Sequence, residues 1–338
     1  MIYIVLFFLF LSVLFYLIFG GADFGVGVLE FFSAKKNKRI TKETAYRIIG
    51  PVWEANHIWL IICIVILWIA FPSYYNIIVT QLHIPITLLL VGIIGRGTAF
   101  VFRHYDAYKE ESYQKLYDLI FQISSTITPL LIGITAGSLI SGELIHPSLI
   151  NDKSFSELYI NTWLNPFSFL MGIFVLSIMA LISSVFIYGE VNDQEKIYFR
   201  KKAIRSNVLA IVSGSLVFIE AFFNKRLFYE MMFNGWTFGV FIVVSLLVVP
   251  LWYFLIKKNK TVTRLILGIQ IALILFVFAS LAFPNLIFFK NGSMSILDNL
   301  PPQKVFDTLG WSLIIAALFV LPGLFHLFKT FGLLSLNK

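Results

Sequence analysis

Long apolar segments alternate with short polar ones along the whole chain of 338 residues. A helix needs about 20 apolar residues to cross a bilayer, so the pattern predicts a series of membrane-spanning segments. The segments are continuous and lack the two-residue alternation of membrane β-barrels, so we expect helices. We predict about nine of them, at residues 2–30, 53–79, 82–104, 114–140, 162–189, 204–224, 236–256, 262–282 and 308–331.

The composition supports an all-α polytopic membrane protein. Hydrophobic residues make up 59% of the chain, charged residues 13%, and the mean hydropathy is +0.87, well outside the range of soluble domains. No polar segment is long enough to form its own core, so we expect a single integral membrane domain over residues 1–338. The chain begins apolar at Ile2 without a preceding basic region, so the first segment is expected to be a retained helix.

The basic residues predict the orientation in the membrane. Of the 26 Lys and Arg residues, twenty lie in the loops on one side or at the C-terminal end, five lie on the other side, and Arg96 lies within a span. Because cytoplasmic loops carry the excess of Lys and Arg, the N-terminus is predicted to be outside and the C-terminus cytoplasmic. The net charge of +8 therefore reports topology, and no nucleic-acid partner is expected.

Four ionisable residues lie in or at the mouth of the first three predicted helices: Asp23, Glu54, His57 and Arg96. Ionisable groups inside a membrane are costly and usually functional. At 1.5 Å per residue, Asp23 lies roughly 30 Å along the first helix and Arg96 about 20 Å along the third, which runs the same way. We therefore predict that all four meet at one level near the cytoplasmic face, with Arg96 paired to Asp23 or Glu54.

Each of these residues has alternative roles. Asp23 is either a structural acid beside the small-residue face of Gly21 and Gly25 or part of a proton path. Glu54 is a candidate proton carrier, since desolvation raises the pKa of a carboxyl group. His57 shares a helix face with Glu54 and is a relay member, a hydrogen-bond partner or a heme ligand.

The histidines and the cysteine bear on cofactors. His57, His104 and His326 all lie towards the predicted inner face, which leaves a heme-ligand pair open, but no spaced pair stands out among the five histidines. Cys63 is the only cysteine, so neither a disulfide framework nor a thiolate metal cluster is expected. We therefore assign no cofactor-binding or metal-binding residues to this chain.

Several motifs in the first half of the chain are similar to those of a known family. They are Gly20-Gly-Ala-Asp-Phe-Gly-Val-Gly-Val-Leu29, Gly50-Pro-Val-Trp-Glu-Ala-Asn-His-Ile-Trp-Leu60, Arg96 with Arg103, and Leu164-Asn-Pro-Phe167. Together they resemble subunit II of the cytochrome bd-type quinol oxidases. The resemblance implies two four-helix bundles plus one peripheral helix, although this chain is short for the family.

The resemblance also implies a role. The chain would pair with a heme-bearing subunit I in the bacterial cytoplasmic (inner) membrane, and two b-type hemes, one d-type heme and the quinol site would belong to that partner. Subunit II would stabilise it and contribute to a cytoplasmic proton path for the reduction of oxygen to water. Asp23, Arg96 and Glu54 match family positions, although Asp is common where this chain has Glu54 and Gln is often found at the position of His57.

The sequence leaves open which further molecules the chain binds, and it is compatible with two other functions. The resemblance does not say whether a structural quinone or lipid is bound, or whether a small single-helix subunit is present. A secondary transporter would use the buried acids and Arg96 as an ion or substrate site, and it predicts broken helices in both halves of the chain. A purely structural assembly partner would use the same charges only to dock helices.

Overall fold

The computed structural model describes residues 1–34, 38, 41–42, 53–105, 110–233 and 236–330. Within these ranges, eight helices are long and apolar enough to cross a membrane, and a bent helix pair makes up to nine. The helices are α1 (Ile2–Phe15), α2 (Gly21–Phe31), α3 (Trp53–Ala70), α4 (Pro72–Gln81), α5 (His83–Tyr105), α6 (Glu111–Ile140), α7 (Phe155–Tyr159), α8 (Pro166–Tyr188), α9 (Asp193–Phe223), α10 (Leu227–Met232), α11 (Trp236–Leu246), α12 (Val248–Ile256), α13 (Lys260–Ala282) and α14 (Gln303–Thr330).

Short elements complete the chain. A π-helical turn, Tyr16–Gly20, joins α1 and α2 into one span of 30 residues. A 3-10 helix covers Pro147–Asp152, and two short antiparallel strands, β1 (Ile287–Phe289) and β2 (Gly292–Met294), form a hairpin. The first span therefore crosses the membrane with a local irregularity just before the glycine-rich segment that carries Asp23.

The predicted continuous helix over residues 53–79 is wrong. The helix ends at Ala70, and α4 leaves it at an angle of 116°. Phe71 has φ −134° and ψ 57°, and Pro72 occupies the first turn of α4. Proline lacks an amide hydrogen and disfavours helical geometry in the preceding residue, so the break falls directly before it.

Two other predicted helices differ at their ends or within. The helix predicted to begin at residue 204 begins at Asp193, so several basic residues assigned to a loop lie on its first turns. The helix predicted from residue 162 begins at Pro166, where the Asn165 side chain accepts a hydrogen bond from the amide of Ser168 at 2.9 Å. The helix predicted over 236–256 is divided at Leu247 into α11 and α12.

Small residues allow the central helices to approach closely. Helix α8 packs against α2, α6 and α9. A side chain at Gly25 would collide with the backbone carbonyl of Met179, and one at Gly21 with Ile182. The predicted small-residue face at Gly21 and Gly25 is thus a real contact surface of the first span, and it sets the position of the neighbouring Asp23.

The β-hairpin is attached to the start of α4 and to the segment that follows α6. Phe289 pairs with Leu144 in a short parallel bridge, and the Tyr74 hydroxyl donates to the carbonyl of Met294. The Gln81 amide exchanges two hydrogen bonds with the backbone of Ile145, at 2.5 and 2.9 Å. These contacts connect the bent second span to loops that are distant in sequence.

Candidate functional site

A buried ion pair joins the first and third spans. The Arg96 guanidinium on α5 donates from Nη2 to Oδ1 of Asp23 on α2, and each residue is only 1% exposed. Asp23 is one of the two partners that the sequence allowed for Arg96. Because both charges are removed from solvent, each depends on the other for its stability in this position.

Aromatic rings surround the guanidinium of Arg96. Its Cζ atom lies 5.8 Å from the ring centroid of Phe24, 5.2 Å from that of Phe100 and 5.4 Å from that of Phe121. At these distances the electron-rich faces of aromatic rings attract a cation. The planar, weakly hydrated guanidinium is suited to this setting, and a compact lysine ammonium would be a poor replacement.

A second buried ion pair lies seven residues further along both helices. Nη2 of Arg103 donates to Oε1 and Oε2 of Glu30 at 2.8 and 3.0 Å, and Nε2 of Gln122 on α6 donates to Oε1 at 2.8 Å. Arg103 is only 6% exposed. Arg103 was counted among the loop charges and Glu30 was not predicted, although the seven-residue offset that they share from Arg96 and Asp23 was a usable signal.

This second pair is connected to the surface. Nε of Arg103 lies 2.7 Å from Oδ1 of Asp118, and Nζ of Lys42 lies 2.7 Å from the same oxygen. The Asp118 side chain is 30% exposed, and Lys38 donates to Oε1 of Gln122 at 3.1 Å. A continuous set of charged and polar groups therefore runs from the surface to Glu30, two helical turns from Asp23.

Lys202 on α9 supports the end of α2. Its Nζ atom donates to the carbonyl of Leu29 and to the Ser33 hydroxyl, each at 2.5 Å, and it lies 5.2 Å from the Tyr198 ring centroid. A cation at the carboxyl end of a helix complements the helix dipole and the unpaired carbonyls. Lys202, which was predicted to lie in a loop, is part of α9 and stabilises the segment that positions Glu30.

The structure describes only part of the segment around Glu54, from the Asn56 side chain onwards. The Glu54 side chain lies outside the described residues, so its predicted place beside Asp23 and Arg96 remains a prediction. His57 is half-buried on α3. Asn56 is 1% exposed, and its Oδ1 atom would lie 3.0 Å from a side chain at Gly20. Asn56 also faces the Asp23 carboxylate, so the start of α3 reaches the level of the first ion pair.

The histidines away from this layer make local contacts. The His83 ring lies 4.9 Å from that of Tyr159, and the His146 side chain accepts a hydrogen bond from the amide of Ser148 at 3.3 Å. The His104 side chain lies outside the described residues. Over the part of the chain that the structure describes, no group of three or more His, Cys, Asp or Glu side chains is arranged to hold a metal ion.

These observations define a class: a polytopic helical membrane protein in which two stacked carboxylate–guanidinium pairs are buried between the first and third spans. The family model described as cytochrome bd terminal oxidase subunit II matches residues 1–331. The chain belongs to this family, in agreement with the motifs around Asp23, Glu54 and Arg96.

Two cytochrome bd oxidase subunits align with about half of this chain. Cytochrome bd ubiquinol oxidase subunit 2 of Bacillus subtilis (strain 168) is 29% identical over 160 residues, which cover 47% of this chain and 46% of the relative. Cytochrome bd-I ubiquinol oxidase subunit 2 of Escherichia coli (strain K12) is 26% identical over 197 residues, which cover 57% and 49%. The matched segments thus span about half the length of these two relatives.

Two further comparisons extend over nearly the whole chain. The putative cytochrome bd menaquinol oxidase subunit II of Bacillus subtilis is 21% identical over 326 residues, covering 94% of this chain and 91% of the relative. The structure of bd oxidase from Geobacillus thermodenitrificans contains a chain with a TM-score of 0.75 and 19% identity, with 97% of both chains covered. The structural likeness confirms the predicted all-α membrane fold.

Proposed function

We propose that this chain is the subunit II of a bd-type quinol:oxygen oxidoreductase, and that it stabilises a heme-bearing subunit I without ligating heme itself. The family match over residues 1–331 carries this proposal. In such a complex, oxidation of two quinols supplies four electrons and releases four protons, and reduction of one oxygen molecule to two water molecules consumes four of each. The hemes and their chemistry are assigned to the proposed subunit I, and no step of heme chemistry is assigned to this chain.

The chain is proposed to form one integral membrane domain in the bacterial cytoplasmic membrane, with its N-terminus outside and its C-terminus in the cytoplasm. The excess of Lys and Arg in alternate loops supports this orientation. In it, the network of Glu30, Arg103 and Asp118 faces the cytoplasm. Protons for oxygen reduction would then enter from the side where the network reaches the surface.

The proposed proton path begins at Glu54. Glu54 would take protons from the cytoplasm, and Asp23, Arg96 and His57 would tune its affinity for them. The observation that supports this path is the buried Asp23–Arg96 pair, with the buried Asn56 at the start of α3 close to Gly20, three residues before Asp23. A nearby guanidinium favours the charged form of a carboxyl group, whereas burial favours its neutral form. The proton affinity of Glu54 would therefore be set by the balance of these two effects.

The first experiment identifies the complex. The protein is purified in mild detergent through a tag on this chain, and a reduced-minus-oxidised visible spectrum and the masses of associated subunits are recorded. Bands of b- and d-type hemes with a second large membrane subunit are expected. A colourless single-subunit preparation would overturn the oxidase assignment and favour the transporter, whose site would be the Asp23–Arg96 layer.

The second experiment tests the proton path. Glu54→Gln removes the proton-carrying group at constant size and is expected to slow oxygen consumption at least tenfold while the heme content per complex is unchanged. Glu54→Asp, which introduces the residue common in the family, is the matched variant and should retain most activity. Full turnover of Glu54→Gln at high pH would show that Glu54 does not load protons.

A further inference from the structure

A buried serine of α6 faces the segment of α2 that lies between the two ion pairs. Ser125 is 0% exposed, and a side chain at Gly27 would collide with its Cβ and Oγ atoms. Gly27 lies four residues after Asp23 and three before Glu30, so all three share one face of α2. The hydroxyl of Ser125 therefore packs against α2 between the two buried carboxylates.

Polar atoms at this level are left with hydrogen-bonding capacity. Oγ of Ser125 and Oδ2 of Asp23 are buried and have no hydrogen-bond partner among the described residues. By contrast, the buried hydroxyl groups of Ser138 and Ser184 donate to the carbonyl four residues earlier, at 2.8 and 2.7 Å. A buried polar atom without a protein partner is uncommon and indicates an ordered water molecule or a functional role.

The spacing along α2 fits one water molecule on each side of the Ser125 hydroxyl. Side chains three or four residues apart on a helix have Cβ atoms about 5–6 Å apart. The carboxylates of Asp23 and Glu30 are thus each about one helical turn from the level of Gly27. A water molecule that bridges two polar groups at such a separation makes a normal hydrogen bond to each of them.

An aromatic ring separates the two pairs on the guanidinium side. The Cζ atoms of Arg96 and Arg103 lie 5.4 and 4.3 Å from the ring centroid of Phe121, which is 2% exposed. The ring has no group that transfers protons, and a guanidinium group keeps its own. A connection between the two pairs is therefore expected on the carboxylate side, where Ser125 lies.

The pair nearer the surface keeps an anion when its carboxylate takes up a proton. Arg103 contacts two carboxylates, with Nη2 at 2.8 Å from Oε1 of Glu30 and Nε at 2.7 Å from Oδ1 of Asp118. While Glu30 carries a proton, Arg103 remains paired with Asp118, and a buried cation without any anion is avoided. The Asp118 side chain is 30% exposed, so it also gives the network contact with water.

We propose that Ser125 relays protons from Glu30 to Asp23, through one water molecule on each side, and that this relay is a second entrance to the proton path. The inference rests on the proposed function, because it supplies the same reduction of oxygen. Chains of acids inside membrane proteins commonly serve as proton relays. This route reaches Asp23 without passing through Glu54.

Each transfer moves one proton and leaves the relay unchanged. A proton from the cytoplasmic side binds Glu30 beside Asp118. Glu30 releases it towards Oγ of Ser125 while the hydroxyl hydrogen of Ser125 passes on to Oδ2 of Asp23, so the hydroxyl group is restored. A serine hydroxyl is suited to this step because it both donates and accepts hydrogen bonds.

The test measures oxygen consumption per heme by the whole complex, purified through a tag on this chain. The variants are made in the Glu54→Gln background, in which the second entrance sustains the residual rate. Ser125→Ala should lower that rate by a further factor of about ten, a modest value for the loss of a positioned proton-transfer group. Ser138→Ala is the matched control, since Ser138 is equally buried on the same helix and about 20 Å away, and it should leave the rate unchanged.

A second substitution at the same position separates a relay from a structural role. Ser125→Gly leaves space in which a water molecule takes the place of the hydroxyl, whereas the alanine methyl group occupies part of that space. The relay therefore predicts faster turnover for Ser125→Gly than for Ser125→Ala. A structural role predicts the reverse, because glycine is less favourable than alanine in a helix by roughly 1 kcal/mol; melting temperature and heme content are measured alongside.

The outcomes separate this inference from the proposed function. A slow Glu54→Gln complex that Ser125→Ala does not slow further would overturn the relay and leave the path from Glu54 intact. Complete loss of activity in Glu54→Gln, or turnover of Ser125→Gly no faster than that of Ser125→Ala, would also overturn it.

Full turnover of Glu54→Gln would contradict the path from Glu54 and leave the relay to be tested alone. Ser125→Ala in the otherwise wild-type complex should then slow oxygen consumption by a factor of about ten, and an unchanged rate would overturn the relay. If Ser125→Ala fails to assemble, Asp118→Asn at its partly exposed position decides the result. It should slow the Glu54→Gln complex, and an unchanged rate would again overturn the relay.

Discussion

Glu30 and Arg103 form a buried ion pair seven residues beyond the pair of Asp23 and Arg96, on the same two helices. Seven residues are nearly two helical turns, so the two carboxylates lie on one face of α2 and the two guanidinium groups on one face of α5. A shift of either helix by one turn would separate both pairs. The stacked pairs therefore fix the register of the first span against the third.

Neutralising one member of the first pair should be more damaging than neutralising both. Arg96→Met removes the cation that pairs with the buried Asp23, and Asp23→Asn removes the carboxylate that pairs with Arg96. Each single substitution is expected to cost about 3–5 kcal/mol. The measurement is the melting temperature of the purified complex, together with its yield.

The double variant Asp23→Asn with Arg96→Met is the decisive comparison for this pair. It removes both buried charges, so it should recover much of the stability lost by the single variants. Additive losses in the double variant would show that the two residues do not act as a pair. Retained assembly with reduced oxygen consumption would indicate a functional role beyond helix docking.

Glu30→Gln should be milder than Asp23→Asn. Arg103 keeps a second anion, since its Nε atom lies 2.7 Å from Oδ1 of Asp118, whose side chain is 30% exposed. We expect a loss of about 1–3 kcal/mol, the range for a broken buried hydrogen bond to a charged group, measured by the same thermal assay.

Glu111→Gln is the matched control for Glu30→Gln. Glu111 forms an i,i+4 pair with Lys115 at 2.7 Å, but its side chain is 86% exposed. Exposed pairs of this kind contribute little, so no measurable change in melting temperature is expected. If both substitutions had the same effect, burial of the Glu30 network would not be the source of its stabilisation.

Gly25→Ala should disrupt the packing of the first span on α8. The added methyl group would collide with the carbonyl oxygen of Met179 and with Ser183, and a backbone atom cannot turn away as a side chain can. The helices would have to separate, which would also move Asp23. Gly268→Ala on α13 is the control, because no atom lies within 4 Å of its added methyl group.

The two glycine variants are compared by thermal stability and by yield of the assembled complex. Gly25→Ala should reduce both, whereas Gly268→Ala should be neutral or slightly stabilising, since alanine is favoured over glycine in helices by roughly 1 kcal/mol. An equal response would mean that the contact between α2 and α8 adapts to the larger residue.

The sequence predicted the features that follow from the cost of placing polar groups in a membrane. Segment length located the spans, and the cost of an isolated charge predicted that Arg96 needs an acid. The pairing of Glu30 with Arg103 was not predicted, because both residues lie near the ends of their helices, where a charge can equally well reach water. Helix α6 brings Gln122 and Asp118 against this pair, a contact between distant parts of the chain that local sequence does not reveal.

The break at Phe71 had a signal that the hydrophobic pattern concealed. The predicted helix over 53–79 was longer than a membrane requires, and Pro72 lay within it. Hydropathy alone does not distinguish one long helix from a span followed by a second helix at 116°. The contacts that hold α4 in its position, such as those of Gln81 with Ile145, join distant parts of the chain and are not visible in local sequence.

The short helix α7 provides a pH-dependent test outside the membrane spans. Glu157 accepts hydrogen bonds from the backbone amide and the hydroxyl of Ser154, and Lys153 lies nearby. The Ser154 amide first, then its hydroxyl and Lys153, lower the pKa of Glu157 from 4.5 to about 2. Because the folded-state pKa is depressed, this stabilisation is fully present above the unfolded pKa and is lost as the pH falls towards about 2.

Hydrogen exchange of residues 155–160, corrected for the intrinsic pH dependence of exchange, measures this effect. Protection should be constant above pH 4.5 and should fall progressively below it. Ser154→Ala removes the hydroxyl, which both accepts from the Glu157 amide and donates to its carboxylate, so protection should be lower at neutral pH and should vary less below pH 4.5. Protection that is unchanged between pH 5.5 and pH 3 in the wild type would show that the ionised Glu157 does not stabilise α7, and the capping interaction would then be independent of its charge.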